Sequence, residues 1–88
     1  MATYHVKVFV QLKEGILDPQ GKAVEHALLS LGFQGMSHVR IGKMIELQVD
    51  GETLDAAKNN VQRACEKLLT NPIIETYEFE LSTNGKVH

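Results

Sequence analysis

The chain has 88 residues, 43% of them hydrophobic and 23% charged, with a formal net charge of -2 at pH 7. That length suits one domain with a thin core, because so small a chain buries only about 60–65% of the surface its unfolded form exposes. The scattered Lys and Arg give no basic stripe for nucleic acid, and one cysteine allows neither an intrachain disulfide nor a cysteine-based metal cluster.

Tyr4, Val6, Val8, Val10 and Leu12 alternate with His5, Lys7, Phe9, Gln11 and Lys13, a period of two that predicts a strand with one apolar face. Residues 1–15 hold no continuous apolar core, so no secretory signal is expected there. No run approaches the 18 apolar residues of a membrane span, and a cytoplasmic protein is expected. The strand stops at Gly15, and Asp18-Pro19 then opens a helix. Asp at an N-cap accepts a hydrogen bond from an orphan N–H, and Pro at the first helical position gives up no useful donor. Gly21 stands where a capping box would place Glu or Gln, which implies close approach by another backbone. Val24, Ala27, Leu28 and Leu31 extend the helix from Pro19 to Leu31, and Gly32 supplies a left-handed stop.

From His38 to Asp50, the residues Val39, Ile41, Ile45, Leu47 and Val49 share one parity, broken only by Lys43 beside Gly42. A two-residue hairpin at Gly42-Lys43 would mix polar and apolar side chains on one face and is disfavoured. A three-residue turn over Gly42-Lys43-Met44, or one continuous bent strand, keeps the parity. A continuous strand over residues 38–50 would span roughly 43 Å. A compact domain of this length has a radius of gyration of about 12 Å. Such a strand overhangs its own domain and needs a second chain to pair with.

Asp50-Gly51 marks a turn, Thr53 an N-cap, and Asp55 a favourable anion in the first helical turn. Leu54, Ala57, Val61, Ala64, Cys65 and Leu68 are expected to line one face of this helix, which Asn71-Pro72 ends. Ile73 to Leu81 reads as the last strand. The order β-α-β(β)-α-β is that of an α+β two-layer sandwich related to the ferredoxin-like arrangement. Two helices are expected on one face of a mainly antiparallel sheet, in a domain over residues 1–82 with 83–88 as a tail.

Few side chains carry chemistry. Cys65 lies on an apolar helical stripe, far from the helix N-terminus or cationic neighbour that a nucleophilic thiolate needs, so a core role is expected. His5, His26, His38 and His88 lack metal-ligand spacing. No phosphate loop, GxGxxG or Gly-x-Ser-x-Gly occurs. Glu78 and Glu80 fall on the face opposite Glu75, a pattern that suits edge protection better than acid–base catalysis. Arg40 and Lys43, flanking Gly42, are the densest basic feature. They read either as anchors for a partner's carboxylates, backbone or phosphate, or as a solvated bend.

The stretch from Leu12 to Gly21, then Val39-Arg40-Ile41-Gly42-Lys43, then Thr70-Asn71-Pro72-Ile73-Ile74-Glu75, taken in that order and spacing, resembles the PurS family. These are the small subunits of bacterial and archaeal phosphoribosylformylglycinamidine (FGAM) synthase, and the resemblance runs from about Tyr4 to Leu81. It implies a non-catalytic subunit that docks a large ATP-dependent synthetase, PurL, to a glutaminase, PurQ, and supports ammonia transfer between them. ATP and Mg would belong to the synthetase, with no cofactor, nucleic acid or membrane for this chain. A homodimer or dimer of dimers is expected through the long strand. Arg40, Gly42 and Lys43, with Asp18, Pro19 and Gly21 and with Asn71 and Pro72, are the candidate partner-interface residues. No catalytic residue or metal ligand is expected. The alternative from the residues is a stand-alone ferredoxin-like regulatory module that binds a small molecule. An acylphosphatase-like enzyme would need an arginine in the loop after the first strand, which carries Lys13, Glu14 and Asp18 instead.

Overall fold

The computed structural model describes residues 2–83. Strand β1 (Ala2–Leu12) is the centre of a three-stranded antiparallel sheet. Its alternation buries Tyr4, Val6, Val8 and Val10 on one face. Strand β2 (Lys43–Gly51) sets Ile45 opposite Val8 and Leu47 opposite Val6. Strand β3 (Glu75–Ser82) sets Phe79 opposite Val8 and Tyr77 opposite Val10. A period of two in all three strands therefore gathers the apolar residues on one face. Lys7, Glu46, Glu78 and Glu80 lie on the other, with Lys7 between Glu46 and Glu80.

Helix α1 spans Pro19–Ser30 and helix α2 spans Leu54–Ala64. The Thr53 hydroxyl caps α2 by accepting from the Ala56 N–H at 3.1 Å. Val61 and Cys65 meet the valines of β1, Ala57 is also buried, and Ile45, Leu47, Val49, Tyr77, Phe79 and Leu81 pack partly buried around the cluster. Past Ala64 the helix widens into a π turn over Cys65–Leu69. There the Cys65 carbonyl accepts from the Thr70 N–H at 3.0 Å and from its hydroxyl at 2.8 Å. The wider turn shifts the apolar stripe by one residue. Leu69 packs against the core, whereas Leu68, expected on the stripe, is 83% exposed. Leu54 and Ala64 also face solvent.

The α+β class and the antiparallel sheet are as expected, but α1 is not laid on its own sheet beside α2. Only Gly21 of this helix is buried, and Val24 and Leu29 are exposed, as are Leu31, Phe33 and Met36 beyond it. Gly32 does supply the left-handed stop, with φ +91°. The chain leaves the sheet at the end of β1, runs out along α1 and returns to the start of β2 at the same end. It therefore forms an arm, and the molecule measures 52 × 29 × 15 Å.

No hairpin forms at Gly42-Lys43, since β2 has β1 as its only neighbour among the described residues. Nor is residues 38–50 one strand in the single chain. Regular pairing begins at Lys43, and His38 has φ +56°. The reason is local: the Val39 and Ile41 N–H groups donate to side chains and not to a neighbouring strand. The last strand begins at Glu75 instead of Ile73 because the Asn71 carbonyl accepts from both the Ile74 and Glu75 N–H groups, closing a turn. Residues 84–88, including His88 and most of the expected tail, lie outside the described residues. Among the described residues no helix is long and apolar enough to cross a membrane.

Candidate functional site

Three segments meet at one end of the sheet: the end of β1, the first turn of α1, and residues 39–42 before β2. Asp18 joins them. Its Oδ1 accepts from the Gly21 N–H at 2.9 Å, the N-cap bond expected from Asp18-Pro19, and Pro19 begins the helix. Its Oδ2 accepts from the Ile41 N–H at 2.8 Å. Arg40 adds its charge, with Nε 3.7 Å from Oδ2. The Arg40 Nη2 donates to the carbonyls of Leu12 and Lys13 at 3.2 and 3.1 Å, beyond the last pairing of β1 with β2 at Val10.

The glycines explain themselves here. A Cβ on Gly21 would collide with the Val39 carbonyl oxygen, so the close backbone approach expected of this residue is met by the chain's own segment. A Cβ on Gly42 would come within 2.6 Å of the Val10 carbonyl oxygen. One turn further along α1, Glu25 accepts from the Val39 N–H at 3.3 Å. The Ile41 and Gly21 hydrogen bonds, then the Arg40 guanidinium, hold the Asp18 carboxyl below the usual aspartate range; burial opposes them.

Lys43 extends the cluster towards β3. Its Nζ lies 4.0 Å from Glu75 Oε2, while Glu75 Oε1 accepts from the Asn71 N–H at 2.7 Å. Asn71 Oδ1 accepts from the Ile73 N–H at 3.1 Å, and Pro72 sits exposed in that turn. A shallow cleft between the two groups is lined by Val10, Leu12, Pro19, Ile41, Gly42 and Lys43. The eight candidate residues thus gather at one end: six form the cluster, and Asn71 and Pro72 join through Glu75. Sequence reasoning missed Glu25 and Glu75 as members. Glu25 was findable, because it lies four residues after Gly21 on the same helical face.

Chemically the arrangement is a brace. Asp18 and Arg40 are engaged with backbone groups of their own chain. Cys65 lies in the core as expected, where burial, helped by Glu66, pushes its thiol up. A buried thiol held protonated is a poor nucleophile. Among the described residues no group of three or more His, Cys, Asp or Glu is placed to hold a metal.

Comparison with known proteins gives a consistent result. The family model PurS, described as phosphoribosylformylglycinamidine (FGAM) synthase, matches residues 5–83. The chain is 49% identical over 78 residues to the phosphoribosylformylglycinamidine synthase subunit PurS of Bacillus subtilis, covering 89% of this chain and 92% of that protein. It is 41% identical over 80 residues to the subunit of the same name from Synechocystis, covering 91% and 80%. Among solved structures, it matches a chain of PurLQS from Thermotoga maritima with a TM-score of 0.85 at 33% identity, over 93% of this chain and 100% of that one. The B. subtilis PurS structure matches with a TM-score of 0.78 at 48% identity, over 90% and 98%.

Proposed function

This chain belongs to the PurS family, and from that premise we propose that it works by docking, as the accessory subunit of FGAM synthase in purine biosynthesis. The complex converts formylglycinamide ribonucleotide, ATP and glutamine into FGAM. In this reading the large synthetase PurL uses ATP and Mg, the glutaminase PurQ releases ammonia, and this chain holds the two together without a cofactor of its own. The setting is cytoplasmic. The observation that carries the reading is the match along nearly the whole chain to a subunit of a structure named PurLQS. The clustering of Asp18, Pro19, Gly21, Arg40, Gly42 and Lys43 at one end supports a partner-facing surface there, presented by the cleft beside Lys43.

The working unit in this proposal is a homodimer. One helix covers the apolar face of the sheet, leaving the outer strands only partly buried, while α1 carries its own apolar residues into solvent. A radius of gyration of 16.6 Å, against about 12 Å for a compact chain of this length, measures the same mismatch. A second copy resolves both defects if each arm reaches the other's sheet. Apolar burial of that kind contributes about 25 cal/mol per Å² removed from water. Size-exclusion chromatography with light scattering, run with PurL and PurQ from the same source, tests the docking reading. One particle containing all three chains is expected; a chain eluting apart from both partners in the presence of ATP and glutamine would overturn it.

A further inference from the structure

We infer that Asp18 is a latch that fixes the direction in which the α1 arm leaves the sheet, and that self-association depends on this latch. The inference rests on the dimer reading above, and it concerns a residue whose carboxylate faces its own chain. Helix α1 has no apolar anchor on the sheet, since Gly21 is its only buried residue. Its orientation must therefore come from the polar contacts at its base. Asp18 supplies two of them from one side chain, to the Gly21 N–H inside the helix and to the Ile41 N–H on the returning segment. Arg40 ties that carboxylate to the end of β1 through the Leu12 and Lys13 carbonyls. The contact of Gly21 with the Val39 carbonyl closes the remaining gap, and the Val39 N–H donates to Glu25 one helical turn further along, so Val39 is held at both its backbone groups by α1.

Outgoing and returning segments are thus bound as one body before any partner arrives. An arm already held in its bound direction loses less conformational freedom on association, so affinity is gained without a contact across the interface. Asp18 acts here as a positioning residue. Asp18→Asn separates its two roles: the amide oxygen still accepts from Gly21, but the amide nitrogen then meets the Ile41 N–H and Arg40 as donor against donor. Gly21→Ala attacks the same latch sterically, with no change of charge.

The test places spin labels on cysteines introduced at Ser30 on the arm and Glu78 on the sheet, both exposed and polar. The labelled chain is diluted into excess unlabelled chain so that only distances within one protomer are read. The dimer dissociation constant is measured in parallel by light scattering. Both variants should broaden the distance distribution and raise the dissociation constant about tenfold or more. Amide protection of β1 should persist in both variants, because no residue of α1 belongs to the core cluster. An unchanged distance distribution in both variants would overturn the latch, and an unchanged dissociation constant would overturn its link to assembly. A wild-type chain that stays monomeric at tens of micromolar would remove the dimer reading and that link together. The distances would then decide the latch alone.

Discussion

Asp18 is bonded by two backbone N–H groups from segments 20 residues apart in sequence (21 and 41), and its proton affinity reports whether they stay joined. The folded carboxyl is held below its ordinary value, so the folded chain binds that proton less readily than the unfolded one. Its stabilising contribution is therefore fully present above the unfolded value of about 3.9 and is lost as pH falls through the lower, folded value. Amide exchange at Ile41 and Gly21, corrected for the intrinsic pH dependence, should keep its protection at pH 6 and lose it on acidification before the β1 amides do. In Asp18→Asn the Ile41 protection should be weak at every pH; a pH-independent, fully protected Ile41 amide in that variant would contradict the bonding described. Cys65 makes a different kind of prediction. Replacing its buried thiol by a hydroxyl, Cys65→Ser, should lower stability by about 1–3 kcal/mol if the hydroxyl finds no partner. The folded variant should still support complex activity, and loss of that activity in a folded protein would mean that the thiol does chemistry.

At the scale of elements, the π turn makes a testable inversion. Leu68→Ala should change stability by less than about 0.5 kcal/mol, as for an ordinary surface site. Leu69→Ala, which opens space against the core cluster, should cost about 2 kcal/mol or somewhat less, since Leu69 is only partly buried. Urea titration of the two variants decides it, and the reverse ranking would restore a regular helix through Leu68. Residues with local causes were readable from the sequence: the Asp18 and Thr53 caps, the Gly32 stop, the strand parities, and the close approach at Gly21. The π turn was not, because regular helical periodicity puts Leu68 on the stripe, and a second leucine at 69 leaves no polar residue to mark the shift. The path of residues 38–42 was not readable either. Their apolar parity says strand, but a strand needs a neighbour, and in one chain the N–H groups of Val39 and Ile41 find Glu25 and Asp18 instead. The candidate site was legible as a set of residues and illegible as a brace, since the Arg40 bonds to Leu12 and Lys13 cross nearly 30 residues of sequence.

At the scale of the molecule, the chain is 15 Å thin along its shortest axis and its arm stands away from its core, a shape that supports the docking role proposed. If the chain works as the accessory subunit proposed, the purified chain should neither hydrolyse glutamine nor consume ATP. Turnover that survives repurification would contradict an accessory role. The most direct test of the central claim is reconstitution. FGAM formation from glutamine is followed with PurL and PurQ at fixed concentration while this chain is titrated in. The account predicts that glutamine-dependent FGAM formation rises with added chain and saturates at a fixed ratio to the partners. The same rate with and without the chain, at concentrations where all three proteins are folded, would contradict it.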